Sequence, residues 1–193
     1  MAEAASLELL VNNAGFGGYM PFSQLDPDKA EELINVQVLA VTRLTRAALP
    51  GMLARKKGAI INVSSRLAFS GPVSEARLPQ RATYAGTKAF LNTFTQILHD
   101  ELQGTGIQVQ ALCPAVVRTE FHLQMGMDPN RFPPEIVSTA EEVVQASLVS
   151  LRLGEVVCLP GMEDVGLLAR LEDDQRSLFE RSGAGALASR YKA

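Results

Sequence analysis

Only two cysteines, Cys113 and Cys158, occur in the 193-residue sequence. That excludes a disulfide framework. Each thiol stands at or just beyond the end of an apolar, strand-like run, where a small buried hydrophobe suits the place. A basic footprint of the kind that tracks nucleic acid is also missing: the net charge is -3 and both signs are spread along the chain. The longest apolar runs are broken by charge or proline and are too short to cross a bilayer. Met1 to Leu7 carries one acid, Glu3, and no basic residue, so it does not read as a secretory leader. These absences point to a cytoplasmic protein with no nucleic-acid or membrane partner. His99 and His122 lack a carboxylate or cysteine at ligand spacing; they read as surface histidines, and no metal site is expected. No Gly-x-Ser-x-Gly turn is present, so Ser65 makes a poor hydrolase nucleophile.

What is present is ordinary for a globular chain, with 47% apolar and 20% charged residues and enough length for one sizeable core. Leu7 to Val11 is a short apolar run with the pattern of a buried strand. Asp26 and Pro27 form an N-cap and first helical position. The helix then runs through Leu33, Val36, Val41 and Leu44 toward Ala48, where Pro50 is expected to interrupt it. Ala59 to Val63 reads as a second strand and Ser70 to Gln80 as a loop. A helix from about Ala82 to Leu102 ends at Gly104 and Gly106, and a third strand covers Ile107 to Leu112. Residues 118 to 136 read as a long loop of the kind that forms lids. Thr139 and Glu142 have the spacing of a capping box. They open a helix that closes at Gly154, before a fourth strand at Val156 to Leu159. Residues 164 to 181 are amphipathic. Strands alternating with helices predict an α/β fold, with a doubly wound parallel sheet of about four strands. The expected division is a domain over 1–162, then a C-terminal helix and tail over 163–193.

Tyr84 and Lys88, in Tyr84-Ala85-Gly86-Thr87-Lys88, lie one helical turn apart on the same face. An ammonium beside a phenol favours the phenolate and lowers a pKa ordinarily near 10, which suits a tyrosine that trades protons near neutrality. The pair alone also fits an exposed tyrosine and a solvated lysine. Its setting favours the first reading. Asn12 to Gly15 follow the first strand, Ser64 and Ser65 the second, and Pro114 to Thr119 the third, so these motifs converge on the carboxyl rim of a parallel sheet, where such folds bind ligands.

Asn12-Asn13-Ala14-Gly15, Asn35 within Ile34-Asn35-Val36, Gly58 to Ser65, Tyr84-x-x-x-Lys88 and Pro114 to Thr119, in that order, resemble the short-chain dehydrogenase/reductase family. The resemblance covers Leu7 to Gly161. It implies an NAD- or NADP-dependent oxidoreductase moving hydride between the cofactor and a carbonyl or secondary alcohol. Tyr84 would be the acid/base, Lys88 would hold the phenol and the nicotinamide ribose, and Ser65 would hold the substrate oxygen, with Ser64 as the alternative. Asn35 would hold a water linked to Lys88. Asn12, Ala14 and Gly15 would line the cofactor near its adenosine side, and of the Pro114 to Thr119 segment Val117 would meet the carboxamide and Thr119 a phosphate or the amide; Thr119 fits equally as the cap of a short helix from Glu120. The resemblance also implies a homo-oligomer, formed through the helices from Asp26 and Ala82. The apolar lid residues Phe121, Leu123, Met125, Met127 and Phe132 lean toward an apolar small-molecule substrate.

Three departures stand out. The strand, glycine-rich turn and helix that open the family's fold are not found ahead of Leu7, so the chain reads as truncated at its N-terminus, with the Leu7–Val11 strand as a bare edge prone to self-association. The Ser65-to-Tyr84 interval is long, with Ser74 to Gln80 as an insert where Arg77 or Arg81 would be solvated charges or meet an anionic substrate. Ala115 stands where the family usually has glycine. The competing reading is a non-catalytic half-fold that serves as an interaction or regulatory subunit.

Overall fold

Four parallel strands form the central sheet in the order β1-β2-β3-β6: β1 is Leu9–Asn12, β2 Gly58–Val63, β3 Ile107–Leu112 and β6 Val157–Cys158. This is a computed structural model, and it describes residues 7–74, 78, 80–128, 132–183 and 185–192. The register runs Asn12 to Asn62 and Val63 to Leu112, so all three strand ends open on one rim. Neighbouring residues of β2 enter different cores. Ile60 packs with Met52, Leu98 and Val109, and Ile61 with Leu112, Val143 and Cys158. A strand covered on both faces needs a continuous apolar run, which is why β2 reads Ala59-Ile60-Ile61 without alternation. Both cysteines are buried and unpaired.

Helix α1 (Pro27–Ile34) starts where expected, with the Asp26 carboxylate accepting from the Asp28 N–H at 2.9 Å. It continues through a π-helical stretch, Asn35–Ala40, into α2 (Val41–Arg55). Pro50 does not stop it: the helix carries on to Lys56, which caps it in the left-handed region at φ 53°. Proline deletes one donor from the ladder, and here the buried face Val41, Thr45, Ala48 and Met52 holds the helix on the sheet past that gap. Helix α3 (Ala82–Glu101) covers the same sheet face, and α5 (Ala140–Leu153) carries the capping box of Thr139 and Glu142 in full. Gly106, at φ 81°, brings the chain into β3; a Cβ there would stand 2.2 Å from the Lys56 carbonyl oxygen, so no other residue fits.

Beyond β3, β4 (Val116–Val117) pairs in parallel with β5 (Val137–Ser138), bracketing the lid and its short helix α4 (Glu120–Leu123). This second small sheet escapes a sequence pattern because each strand has two residues. β1 is an edge strand, with Leu9 and Val11 41% and 47% exposed. Residues 162 to 193 form a separate unit, in which α6 (Gly166–Ser182) carries an exposed 3.1 Å ion pair from Arg170 to Asp164.

Candidate active site

Tyr84 and Lys88 face inward from the first turns of α3 and are only 5% and 4% exposed. The Lys88 ammonium lies 5.5 Å from the Tyr84 ring centroid and donates to the Val63 carbonyl at 2.8 Å, tying α3 to the end of β2. The two serines that follow β2 do different things. Ser64 donates its hydroxyl to the Lys88 backbone carbonyl at 2.9 Å. Ser65 caps a single 3₁₀ turn, and its hydroxyl favours the Tyr84 phenolate. Of the two, Ser65 is therefore the one beside the phenol. A residue outside the motifs joins them: Tyr19, in the loop after β1, places its ring edge-on to Tyr84 at 5.1 Å between centroids, and its hydroxyl favours the Tyr84 phenolate. Phe121 of the lid flanks Tyr84 at 6.1 Å.

The electrostatics correct a sequence expectation. The Tyr84 phenol lies above its ordinary value, not below it, because burial outweighs the hydrogen bonds from Tyr19 and Ser65, which favour the phenolate. Lys88 is itself pushed down to about 8 by burial. Its ammonium is turned to a backbone carbonyl, so it does less for the phenol than the bare Tyr-x-x-x-Lys spacing suggests.

The second correction concerns Asn35. It is exposed, and the buried polar side chain on this helix is Gln37. Leu33, Gln37, Val41 and Thr45, four residues apart, form the inward stripe; Asn35 sits two residues out of phase, on the far side. The same four-residue phase was present in the sequence and would have found Gln37. Its amide nitrogen donates to the Phe16 carbonyl at 2.7 Å, and its amide oxygen accepts from the Thr87 hydroxyl at 3.2 Å. Gln37 thus fastens the loop after β1 to the helix that carries Tyr84. Gln37→Leu is expected to cost about 1–3 kcal/mol by leaving the Phe16 carbonyl unpaired and to speed amide exchange over residues 16–19. Unchanged exchange there would show that the loop holds without it.

Asn12 is buried and donates to Asn62 (2.7 Å) and Thr45 (3.3 Å), while Asn62 donates to Thr95 (2.9 Å). This polar ladder ties the edge strand to β2, α2 and α3, so the Asn12 side chain supports the strand. Ala14 and Gly15 are exposed on the rim, with Gly15 beside Gln37. The Pro114 carbonyl accepts from the Arg66 N–H, holding the Ser65 loop against the end of β3. Val117 lies in β4, and the Thr119 hydroxyl accepts from the Phe121 N–H at 3.3 Å as the cap of α4.

His122 is not at the surface. It is buried between Phe121 and Phe132, and burial lowers its pKa, against which the Val117 backbone acts to raise it. Arg81 is not a solvated charge either: it donates to the Ser70 hydroxyl and to the Ser70 and Val73 carbonyls, clamping the loop before α3. Arg77 lies outside the described residues. The lid touches the loop after β1 directly, since a Cβ on Gly17 would overlap the Met125 sulfur. Between them runs a cleft of about 360 Å³ lined by Phe16, Gly17, Lys29, Glu32, Phe121 and Met125, among others. Tyr84 does not line it; Phe121 belongs to both places.

The rim matches known proteins. The family model of the short chain dehydrogenases covers residues 1–129. The chain belongs to this family. An uncharacterized oxidoreductase of Myxococcus xanthus is 33% identical over 144 residues, covering 75% of this chain and 53% of that protein. A very-long-chain 3-oxoacyl-CoA reductase of Mus musculus is 41% identical over 117 residues, covering 58% of this chain and 36% of that protein. The chain thus spans about half or less of these relatives. Among solved structures, a short-chain dehydrogenase from Sphingobium yanoikuyae in complex with NADPH superposes with a TM-score of 0.88 at 31% identity, over 99% of this chain and 73% of that one. A bulky-bulky ketone specific alcohol dehydrogenase from Comamonas testosteroni gives 0.84 at 28% identity, over 99% and 70%. The family fold is therefore the α/β, Rossmann-like one expected. Among the described residues no helix is long and apolar enough to cross a membrane.

Proposed function

We propose that this chain carries the proton-transfer and substrate half of an NAD(P)-dependent oxidoreductase acting on a carbonyl or secondary alcohol, with Tyr84 as acid/base. The observation that carries it is the buried meeting of the Tyr84, Ser65 and Lys88 side chains at the carboxyl ends of three parallel strands. Likeness to an NADPH-bound dehydrogenase supports the cofactor class. The donors present suit it: the Lys88 ammonium for the nicotinamide ribose, the Val117 backbone and the Thr119 hydroxyl toward the carboxamide and phosphate, and the exposed Ala14 and Gly15 backbone toward the adenosine side, with Pro114 shaping the turn and Asn12 supporting the strand. No glycine-rich turn opening a helix stands among the described residues. Gly17 and Gly18 pack on Met125 and Leu33, which leaves them no room to cradle a pyrophosphate. When bound, the nicotinamide supplies or accepts the hydride.

In reduction, Ser65 holds the substrate oxygen by a hydrogen bond and Tyr84 delivers a proton to it; in oxidation Tyr84 removes that proton. Burial holds Tyr84 protonated at neutral pH, which suits the reductive direction. The Lys88 ammonium stays beside the phenol to balance its charge after transfer. Phe121 and Met125 make the substrate side apolar, and the likeness to a ketone-specific alcohol dehydrogenase and to 3-oxoacyl-CoA reductases agrees with a bulky, apolar ketone. Exposed Leu44 on α2 and Ile97 on α3 support a homo-oligomer through these helices, which sedimentation would read.

Titration of the chain with NADPH and NADH, followed by the cofactor's own fluorescence, tests the proposal. Saturable binding is expected, with cofactor-dependent reduction of a bulky ketone. A folded chain that binds neither favours the second reading, an interaction subunit, which rests on the exposed Leu9 and Val11 of edge strand β1.

A further inference from the structure

Three hydroxyl side chains gather here, Tyr84, Ser65 and Tyr19: the last two favour the Tyr84 phenolate, and the Tyr19 ring stands 5.1 Å from that of Tyr84. The family motifs account for the first two. Tyr19 comes from the loop after β1, and the loop is built to aim it. Gln37 pins the Phe16 carbonyl at 2.7 Å. Gly17 and Gly18 then press against Met125 and Leu33, where side chains of their own would collide. The next residue is delivered edge-on to Tyr84, with ring planes 81° apart. Thr87, whose hydroxyl lies 2.8 Å from the Tyr84 carbonyl and 3.2 Å from the Gln37 amide oxygen, stands three residues after Tyr84 on the same helix, so the loop is tied to the helix that carries the acid/base. Lys88 gives one of its three N–H donors to the Val63 carbonyl, with its ammonium 5.5 Å from the Tyr84 ring centroid.

We infer that Tyr19 is a positioning residue for Tyr84: its hydroxyl donates to the Tyr84 oxygen, fixes the phenol's orientation, and steadies the phenolate left after proton transfer. The inference rests on the proposed role of Tyr84. A buried phenolate has few ways to recover the hydration it gives up, and a hydroxyl donor is one of them. Ser65 must also serve the substrate oxygen; Tyr19 is free of that demand.

The sequence makes the test clean, because it has three tyrosines and no tryptophan. In protein labelled with ¹³C at the tyrosine Cζ, Tyr19→Phe removes one hydroxyl and keeps the ring, so ring-current effects on Tyr84 persist. The Tyr84 Cζ signal is expected to move in Tyr19→Phe and the Tyr19 signal in Tyr84→Phe, while Tyr191 stays put in both. In the cofactor-driven reaction, Tyr19→Phe is expected to lower kcat roughly tenfold, the worth of one hydrogen bond to a charged group, with KM unchanged. A Tyr84 signal that ignores Tyr19→Phe overturns the inference and leaves the proposed function standing, as does an unchanged kcat. Turnover that ignores Tyr84→Phe instead overturns the reading beneath it, whatever the spectra show.

Discussion

Tyr84→Phe should lower kcat/KM by roughly a thousandfold, within the range that a positioned acid or base contributes, while the fold survives. The substitution keeps a ring between Tyr19 and Phe121, so the packing at 5.1 and 6.1 Å is retained. What it removes is the one oxygen whose charged form the Tyr19 and Ser65 hydroxyls favour. Leaving those donors without it costs about 1 kcal/mol of stability, a small loss for a buried core. The loss should fall on kcat, because the hydroxyl acts in the transition state, whereas Phe121 and Met125, which would hold the substrate, are untouched. Ser65→Ala should raise KM as well, since Ser65 is proposed to bind the substrate oxygen. Steady-state kinetics beside a thermal melt make the measurement. Retained turnover in a folded Tyr84→Phe protein would rule Tyr84 out as acid/base.

The parts of this site that follow from spacing could be read before the structure. A gap of four residues puts Tyr84 and Lys88 on one face of α3, and strand ends locate Ser65 and Pro114 on the rim. Parallel register does the rest, because neighbouring strands of equal sense end together. The parts that depend on phase or on long-range contact were harder. Asn35 is the residue type that a resemblance looks for, but helix phase, not residue type, decides which side chain faces inward, and Gln37 holds that phase. Tyr19 carried no signal, as a loop residue aims its ring only once Gln37, Met125 and Leu33 fix the backbone before it. His122 and Arg81 looked like surface charges because their partners, the Phe121 and Phe132 rings for one and the Ser70 and Val73 carbonyls for the other, are displayed by no sequence pattern.

Stability of the chain should climb between pH 7 and 9 and collapse above 10. Lys88 drives the climb. Its ammonium ionises near 10.5 in the unfolded chain and at about 8 when folded. Between those values the unfolded state binds more protons, so folding gains as pH rises; below them the buried charge costs about 3 kcal/mol. The buried acids drive the collapse. Cys113 is pushed from 9.0 up to about 12, and Cys158, Tyr19 and Tyr84 are also raised by burial. The unfolded chain ionises these groups first, the thiols from about 9 and the phenols from about 10, so each then pulls toward unfolding. For Cys113 alone the full window amounts to about 4 kcal/mol. His122, lowered by burial, acts only below about pH 6.5 and leaves both limbs alone. Urea midpoints at pH 7, 8, 9, 10 and 11 read the profile. Lys88→Met should flatten the climb by stabilising the protein most at pH 7, even as it damages the site, and Cys113→Ala should soften the fall above 9. A climb that persists in Lys88→Met would mean that the ammonium at Val63 is better compensated than its burial implies, and that the lysine which serves the phenol is no burden to the fold.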